Sequence, residues 1–234
     1  LWPLIRWTGM DRSLFPGWRP AGPGLARYAL GFTLAAVLLL ALGWGLCRSG
    51  IYRLRAEPDW GNVGGALSAA IGAGVLEEIF FRGAILGLLL RSLRPLPAIL
   101  SSSALFAFVH YLRPPGSWEL PLSEVTWSSG CGALCSFFYC CGDPGVLQAD
   151  FATLFAVGWV LAAARLRSGQ LWISMGLHGG WIFGLKYFSA LTQTSKALRA
   201  GDYLPWIGIN LKIGLVPLLV IALTGWLAMR LLAA

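Results

Sequence analysis

The sequence predicts an all-α fold, a polytopic integral membrane bundle of about six to eight transmembrane helices around a polar cavity. Of its 234 residues, 57% are hydrophobic and only 12% are charged, whereas roughly 25% of the residues in a soluble domain are charged. Several apolar runs reach the length of about 20 residues that crosses a bilayer. The chain also contains 12 tryptophans, whose indole rings favour the membrane–water interface. These features place it in the multi-spanning membrane class.

The formal charge of +8 raises the question of a nucleic-acid partner. The 18 lysines and arginines are scattered between apolar segments and form no dense basic stripe. Such scattered cations are typical of helix ends that meet anionic lipid head groups. The sequence therefore predicts membrane lipid as a partner and excludes nucleic acid.

The N-terminal segment, residues 1–27, carries four arginines and three tryptophans among prolines and glycines. This pattern is typical of a segment that lies along the bilayer surface, and it is not that of a signal peptide. Residues 28–234 are predicted to form a transmembrane helical domain, whose first span is Tyr28–Cys47. Because the sequence starts without an initiator Met, we expect a fragment or a processed product.

The second predicted span is a weakly polar run from Val63 to Leu90, and it contains Glu77, Glu78 and Arg82. We expect the acidic pair either to divide this span or to lie against a cavity. Two prolines follow in the segment RSLRPLP. They should end the helix, because proline is poorly tolerated in a helix interior.

The remaining predicted spans are apolar runs separated by polar or proline-rich connectors. They cover Pro97–Leu112, Phe151–Leu166, Leu171–Phe188 and Trp206–Leu232. The longest connector, residues 113–150, contains four prolines, yet its aromatic stretch CSFFYCC could dip into the membrane. A polar loop separates the last two spans.

The five cysteines cannot all pair with one another, because their number is odd. Four of them lie in the segment CGALCSFFYCC, whose spacing matches no paired zinc pattern. We interpret them as apolar filler, because a free thiol packs as a small hydrophobic group, and a metal or redox role is the alternative. They are Cys47, Cys131, Cys135, Cys140 and Cys141.

The three charged residues in the second span require an explanation, because one charge at mid-bilayer costs roughly 2.5 to 3.5 kcal/mol. Glu78 and Arg82 are four residues apart on one helix face, so they can neutralise each other. Glu77 points about 100° away from Glu78 and has no partner within the motif, so it needs water or a polar group from another helix. The alternative is an ordinary charge cluster at a helix end on the membrane surface.

The two histidines, His110 and His178, each lie in an otherwise apolar span. A lone histidine there can be structural, but two histidines and an unpartnered glutamate on three helices have the composition of a hydrolytic site. The glutamate can take a proton from water and pass it to a leaving amine. One imidazole can position that water, and the other can donate a hydrogen bond to the oxyanion of a tetrahedral intermediate. Glycines beside His178 allow close helix approach or access for a substrate backbone.

These residues carry a resemblance to a known family. EEIFFR resembles the EExxxR motif of the CPBP intramembrane proteases, which include the type II CAAX prenyl endopeptidase and bacterial Abi or bacteriocin-processing proteins. FAFVH, from Phe106 to His110, resembles the second motif, FxxxH. SGQLWISMGLHGGWIF resembles the third motif, which leads to the second catalytic histidine, so the family-like catalytic core covers about residues 61–188.

The resemblance implies an intramembrane endopeptidase with Glu77, His110 and His178 as its catalytic residues. Glu77 would activate water with the help of His110, and His178 would help to form the oxyanion site. Glu78 and Arg82 would be a structural ion pair. The resemblance also implies that no cofactor is needed, that the substrate is a hydrophobic or prenylated peptide, and that the protein lies in a bacterial inner membrane.

The sequence departs from the family pattern at Ile182, where the family often has an asparagine that contributes to the oxyanion site. An apolar side chain cannot donate a hydrogen bond, so the donor is incomplete or comes from a backbone N–H. Ile182 thereby supports an alternative, a non-catalytic membrane scaffold or bacteriocin-immunity protein that keeps the fold. A second alternative is a zinc metalloprotease with Glu77, His110 and His178 as ligands, although the sequence has no HExxH motif. A transporter is a third, although no paired repeats are evident.

Overall fold

The computed structural model describes residues 23–110, 121–132 and 144–232, and this part of the chain is mostly helical, as the sequence predicts. A π-helical segment, Ile79–Ile85, joins α2 to α3, and two short strands, β1 and β2, pair with each other. The helices are α1 (Pro23–Arg48), α2 (Val63–Glu78), α3 (Leu86–Ser92), α4 (Pro95–Val109), α5 (Pro144–Ser168), α6 (Trp172–Leu191), α7 (Lys196–Ala200) and α8 (Leu215–Leu231), and the strands are β1 (Tyr52–Leu54) and β2 (Thr192–Thr194).

Two helices of the described residues are long and apolar enough to cross a membrane, Pro23–Arg48 and Asp150–Ser168. Helices α4 and α8 are also apolar but shorter. The total of about six to eight spans therefore stays a prediction.

Helix α1 contains the first predicted span but begins earlier, at Pro23. The rest of the predicted interfacial segment, residues 1–22, lies outside the described residues. Helix α1 runs parallel to α6 and approaches it closely at glycine positions. A Cβ atom added at Gly31 would lie 2.8 Å from the carbonyl oxygen of Ile173, and one added at Gly43 would lie 2.6 Å from the ring of Phe188. Small residues thus let these two helices pack backbone to backbone.

The second predicted span is one continuous helical element, because α2, the π segment and α3 follow one another without interruption. The acidic pair therefore does not divide it. The backbone instead widens into the π segment directly after Glu78. Helix α3 ends at Ser92 and α4 begins at Pro95, so the proline-rich segment ends the helix as predicted. Proline fits the first turn of α4, where its missing N–H is not needed.

Helix α5 begins at Pro144, well before the predicted start at Phe151, so the predicted connector 113–150 is too long. The prediction placed Pro144 in the connector, but a proline is well suited to the first turn of a helix. Helix α5 runs antiparallel to α4. A Cβ atom added at Gly158 would lie 2.9 Å from the Cα atom of Ser103, so the two backbones are in close contact.

Two of the five cysteines lie in the described residues, and both are free thiols. Cys47 is half-buried and Cys131 is exposed. The other three, and the stretch CSFFYCC that was predicted to dip into the membrane, lie outside the described residues. Their role as apolar filler stays a prediction.

The last predicted span begins too early. Helix α8 begins at Leu215, and residues 206–214 are not helical. Gly214, which immediately precedes the helix, has φ +117°, a conformation that strongly favours glycine. The segment is apolar, so its hydropathy hides this interruption.

A short β ladder lies at one end of the bundle. Its two strands lie in connectors that the sequence pattern predicts to be loops. Strands β1 and β2 are antiparallel, with Tyr52 opposite Thr194. Because they follow α1 and α6, the ladder joins the ends of these two parallel helices. The Tyr52 hydroxyl donates a 2.9 Å hydrogen bond to the carbonyl oxygen of Gly208, which anchors the non-helical segment before α8. Burial raises the pKa of Tyr52, so its hydroxyl remains a hydrogen-bond donor.

Candidate active site

Glu77, His110 and His178 come together from three helical elements. Glu77 lies in the last turn of α2, His110 follows the last residue of α4, and His178 lies in α6. Glu77 Oε2 is 3.6 Å from His110 Nε2 and 3.8 Å from His178 Nε2. These separations are longer than direct hydrogen bonds, so the three polar atoms converge without bonding to one another.

Hydrogen bonds on the far side of each ring determine which nitrogen faces Glu77. His110 Nδ1 donates to the carbonyl oxygen of Phe106 at 2.8 Å, and His178 Nδ1 donates to Glu78 Oε1 at 3.0 Å. A carbonyl or carboxylate oxygen only accepts, so both Nδ1 atoms carry the proton and, in the neutral rings, both Nε2 atoms are acceptors. Two imidazole lone pairs and a carboxylate oxygen therefore face one another. This arrangement attracts a hydrogen-bond donor such as water, or a cation.

Glu78 and Arg82 form a buried ion pair on the helical element that carries Glu77. Arg82 Nη1 is 3.0 Å from Glu78 Oε1, and the two side chains are 1% and 0% exposed. The guanidinium lies 4.3 Å from the centre of the Phe106 ring, where a cation is attracted to the aromatic face. Because Glu78 Oε1 also accepts from His178, the ion pair fixes the orientation of that imidazole.

Close backbone approach between α2 and α6 brings these groups within reach of one another. A Cβ atom added at Gly74 would lie 3.1 Å from the Cα atom of Gly179, and one added at Gly179 would lie 3.2 Å from the carbonyl oxygen of Ala70. Gly179, beside His178, therefore serves helix packing, which is one of the two uses predicted for these glycines. The π segment begins directly after Glu78, and π-helical turns are rare and often lie at functional sites.

Phe106 lies against both histidines and Arg82. Its ring centre is 4.4 Å from that of His110 and 5.7 Å from that of His178. The side chain is 1% exposed, and its backbone carbonyl holds His110. Phe106 thus positions the two imidazoles through its ring and its backbone.

A cavity of about 190 Å³ adjoins the two histidines. Helices α1, α4, α5, α6 and α8 and the segment before α8 line it, mostly with apolar side chains such as Leu154, Val157 and Leu185. The side chains of Glu77 and His110 are 33% and 24% exposed, so water can reach this edge of the site.

Ile182 lines the same cavity and has no polar atom with which to donate a hydrogen bond. Its neighbour Trp181 also lines the cavity, and the indole Nε1 is buried without an acceptor among the described residues. An unpaired buried N–H of this kind costs about 1 to 3 kcal/mol. Because Ile182 is apolar, its side chain adds no donor to an oxyanion site.

Lys212 is a further polar residue on the cavity wall and was not among the predicted site residues. Its Nζ pairs with Asp150 Oδ2 at 3.1 Å. The sequence contained a signal for it, since Lys212 lies inside the predicted span Trp206–Leu232. A charged residue in a predicted span is a functional-site hypothesis by default, as for Glu77, although the structure places Lys212 in the non-helical segment before α8.

A zinc ion would require closer ligands than the three converging atoms provide. In a tetrahedral site with bonds of about 2.0 to 2.1 Å, two ligand atoms lie about 3.3 Å apart. Glu77 Oε2 is 3.6 and 3.8 Å from the two histidine nitrogens. In the part of the chain that the structure describes, no three His, Cys, Asp or Glu side chains are placed to hold a metal ion. A zinc ion would bind here only if the carboxylate oxygen moved about 0.3 to 0.5 Å closer to the two nitrogens.

Comparison with known proteins assigns the family. The family model described as type II CAAX prenyl endopeptidase Rce1-like matches residues 59–184, which is more than half of the chain. The matched segment contains every site residue predicted from the motifs, Glu77, Glu78, Arg82, Phe106, His110, His178 and Ile182. No curated protein and no solved structure matches the chain. The chain belongs to the Rce1-like family of type II CAAX prenyl endopeptidases, a membrane-embedded family of CAAX-type proteases.

Proposed function

We propose that the protein is an intramembrane endopeptidase of the CAAX type that hydrolyses a peptide bond with water activated by Glu77 and His110. The observation that carries this proposal is the convergence of three acceptor atoms, Glu77 Oε2 and the Nε2 atoms of His110 and His178, at separations of 3.6 and 3.8 Å. A water molecule beside these atoms can donate one hydrogen to Glu77 and the other to His110 Nε2. A lone pair of the water oxygen is then left to attack a substrate.

In the proposed reaction the water oxygen attacks the carbonyl carbon of the scissile peptide bond while Glu77 takes one of its protons. The C–N bond then breaks, its electron pair stays on the nitrogen, and the nitrogen takes the proton from Glu77. The products are a carboxylic acid and an amine, and Glu77 returns to its starting state. His110 keeps the attacking water in place, and no cofactor enters this sequence.

His178 is proposed to stabilise the oxyanion of the tetrahedral intermediate. Because its Nδ1–H is donated to Glu78, its Nε2 donates to an oxyanion only as an imidazolium, and in that state the attacking water is held by Glu77 and His110 alone. Ile182 adds no donor here. One oxyanion donor is worth about 10²- to 10³-fold in turnover, so an asparagine at position 182 should preserve or raise activity.

The apolar wall of the cavity supports a hydrophobic or prenylated peptide as the substrate. Such a substrate would enter from the membrane, where lipid surrounds the protein. On the resemblance to bacterial members of the family, we propose a bacterial inner membrane as the location.

A cleavage assay in detergent or liposomes tests the proposal, with prenylated CaaX peptides and unprenylated hydrophobic peptides as substrates. Glu77→Gln removes the proton acceptor at nearly constant size, and His110→Ala removes the ring that holds the water. We expect both variants to lose turnover while their melting temperatures stay close to that of the parent. Equal turnover in the parent and in Glu77→Gln would refute the proposal.

The alternative function is a non-catalytic membrane scaffold or bacteriocin-immunity protein, and the observation that favours it is the apolar Ile182 on the cavity wall. Glu77→Gln separates the two functions in cells. A protease loses its cellular phenotype in this variant, whereas a scaffold keeps it.

Zinc dependence is decided by the same assay. We expect turnover to survive extended treatment with a strong chelator, and the purified protein to contain no stoichiometric metal. Loss of turnover with chelator and its recovery on addition of Zn²⁺ would instead assign a metal to Glu77, His110 and His178.

A further inference from the structure

A groove runs between α5 and α8 that the proposed reaction does not use. Two cavities of about 770 and 280 Å³ lie side by side along these helices, and they share the lining side chains Ala163, Trp226 and Met229, so they form one continuous groove. Higher-numbered residues of α5 lie beside higher-numbered residues of α8, so the two helices run parallel along it. Among the described residues, none that lines this groove also lines the cavity beside the two histidines.

Two arginines stand at one end of the groove, Arg167 in the last turn of α5 and Arg230 in the last turn of α8. The guanidinium of Arg230 lies 5.4 Å from the centre of the Trp226 ring, which holds this cation beside the groove. Neither arginine forms an ion pair with a carboxylate in the part of the chain that the structure describes. The segments that form this end contain five arginines and no Asp or Glu, and they are residues 86–99, 163–172 and 226–232. This end of the groove therefore attracts an anion.

Away from the arginines the groove is apolar, with Trp159, Val160 and Ala222 in its lining. Between Trp159 and Arg167, α5 rises about 12 Å at 1.5 Å per residue. The hydrocarbon core of a bilayer is about 30 Å thick, so an acyl chain of one leaflet spans about 15 Å. The groove therefore has the length of most of one acyl chain. Trp226 is 54% exposed, so the protein itself leaves this apolar wall uncovered.

We propose that the groove binds one anionic phospholipid, with its phosphate on Arg167 and Arg230 and one acyl chain along α5 and α8. A basic end and an apolar length together match an amphiphile, and the chain belongs to a membrane-embedded family, so lipid surrounds it. A guanidinium binds a phosphate through paired N–H donors, and basic pockets between membrane helices bind anionic head groups. The bound lipid would hold α8 against α5. The inference does not depend on the proposed function, because it requires no cleavage.

Competition between two phospholipids with identical acyl chains tests the role of the arginines. The delipidated protein in detergent is mixed with equal concentrations of phosphatidylglycerol, which is anionic, and phosphatidylcholine, which is zwitterionic. Native mass spectrometry counts the lipids bound to each protein. We expect one phosphatidylglycerol per protein, bound about tenfold more tightly than phosphatidylcholine because two arginines attract its net negative charge. In Arg167→Gln/Arg230→Gln this ratio should fall to about one, and an unchanged ratio would overturn the inference.

A matched control removes two arginines at another helix end. Arg48 is the last residue of α1 and Arg53 lies on β1, and both side chains are exposed and outside the lining of the groove. Arg48→Gln/Arg53→Gln lowers the net charge by the same amount, so it should leave the selectivity for phosphatidylglycerol unchanged. If this control loses as much selectivity as Arg167→Gln/Arg230→Gln, only net charge matters and the proposed site is wrong.

Ala222→Phe tests the place of the acyl chain. Ala222 is exposed and lines the groove in the part away from the arginines, so a phenyl ring there should fill the groove without disturbing the core. Both lipids should bind about tenfold more weakly, which corresponds to about two fewer buried methylene groups. Lipid-free Tm values close to that of the parent would show that the variants are folded. Unchanged lipid binding in folded Ala222→Phe would contradict the proposal.

Two further readouts separate the phospholipid from other occupants. Glycerol phosphate presents the head group without acyl chains, and we expect it not to displace phosphatidylglycerol at the same concentration. Displacement by glycerol phosphate as effective as that by the lipid would show a site for free anions. A dimer without bound phospholipid would assign the groove to a second copy of the chain. Either result would overturn the inference.

Discussion

Loss of the Arg82 charge should destabilise the protein strongly. Arg82 and Glu78 are 1% and 0% exposed and are paired at 3.0 Å. Arg82→Met keeps a long side chain but leaves the Glu78 carboxylate buried against His178 without its cation. Removal of one partner of a buried ion pair costs about 3 to 5 kcal/mol. In a chain of this size about 1 kcal/mol shifts Tm by 2 to 4 °C, so we expect Tm to fall by roughly 6 to 20 °C.

A double variant separates the structural role of this pair from its effect on the active site. Glu78→Leu/Arg82→Met removes both charges, so much of the lost stability should return. Turnover should not return, because His178 loses the carboxylate that accepts its Nδ1–H and fixes the ring. Thermal unfolding in detergent and peptide cleavage, measured on the same samples, give the two readouts.

The control for this series is Arg53→Met, which removes a charge from an exposed side chain on β1 and should change Tm by less than about 2 °C. The reasoning is refuted if Arg82→Met melts as close to the parent as this control does. It is also refuted if the double variant is as unstable as Arg82→Met alone.

Three further predictions concern packing, the end of the bundle and the oxyanion site. Gly31→Ala should lower stability by about 1 to 3 kcal/mol, because the added Cβ would lie 2.8 Å from a backbone oxygen. The control Gly45→Ala adds a Cβ in open space and should not destabilise α1. Equal unfolding temperatures of the two variants would contradict this prediction. Tyr52→Phe should cost about 1 to 3 kcal/mol in thermal unfolding, because the carbonyl oxygen of Gly208 loses its 2.9 Å donor, and an unchanged Tm would show that the bond is dispensable. Ile182→Asn should preserve or raise kcat on prenylated peptides, and a clear fall in kcat would exclude an oxyanion role at this position.

The sequence predicts the helical elements well where an apolar run is long or is bounded by prolines. Helix α1 contains its predicted span, and the two prolines after Ser92 separate α3 from α4 as expected. The predictions are wrong where local backbone geometry, and not hydropathy, determines where a helix begins. The non-helical segment before α8 is mostly apolar despite Asn210 and Lys212, and the conformation of Gly214, with φ +117°, cannot be recognised from composition.

Long-range pairing is the second feature that the sequence does not reveal. Strands β1 and β2 have three residues each and pair across more than a hundred residues of chain. So short a strand has too few residues to show an alternating pattern. The π segment after Glu78 is equally hidden, because its residues suit an ordinary helix.

The sequence predicts which residues form the candidate site more fully than it predicts their detailed geometry. Glu77 is selected because a charged side chain is costly in an apolar run. The same reasoning would have added Lys212 to the predicted site residues. The spacing argument predicts the Glu78–Arg82 pair, but the hydrogen bond from His178 to Glu78 depends on how α2 and α6 pack. That contact is tertiary, so the sequence could not show which histidine nitrogen faces Glu77.

The most direct test of the central claim is the single-turnover rate of peptide cleavage by Glu77→Gln relative to the parent, with folding checked by Tm. If Glu77 accepts the proton of the attacking water, the rate should fall by about 10²- to 10⁴-fold while Tm remains that of the parent. A folded Glu77→Gln protein that cleaves as fast as the parent would contradict the account.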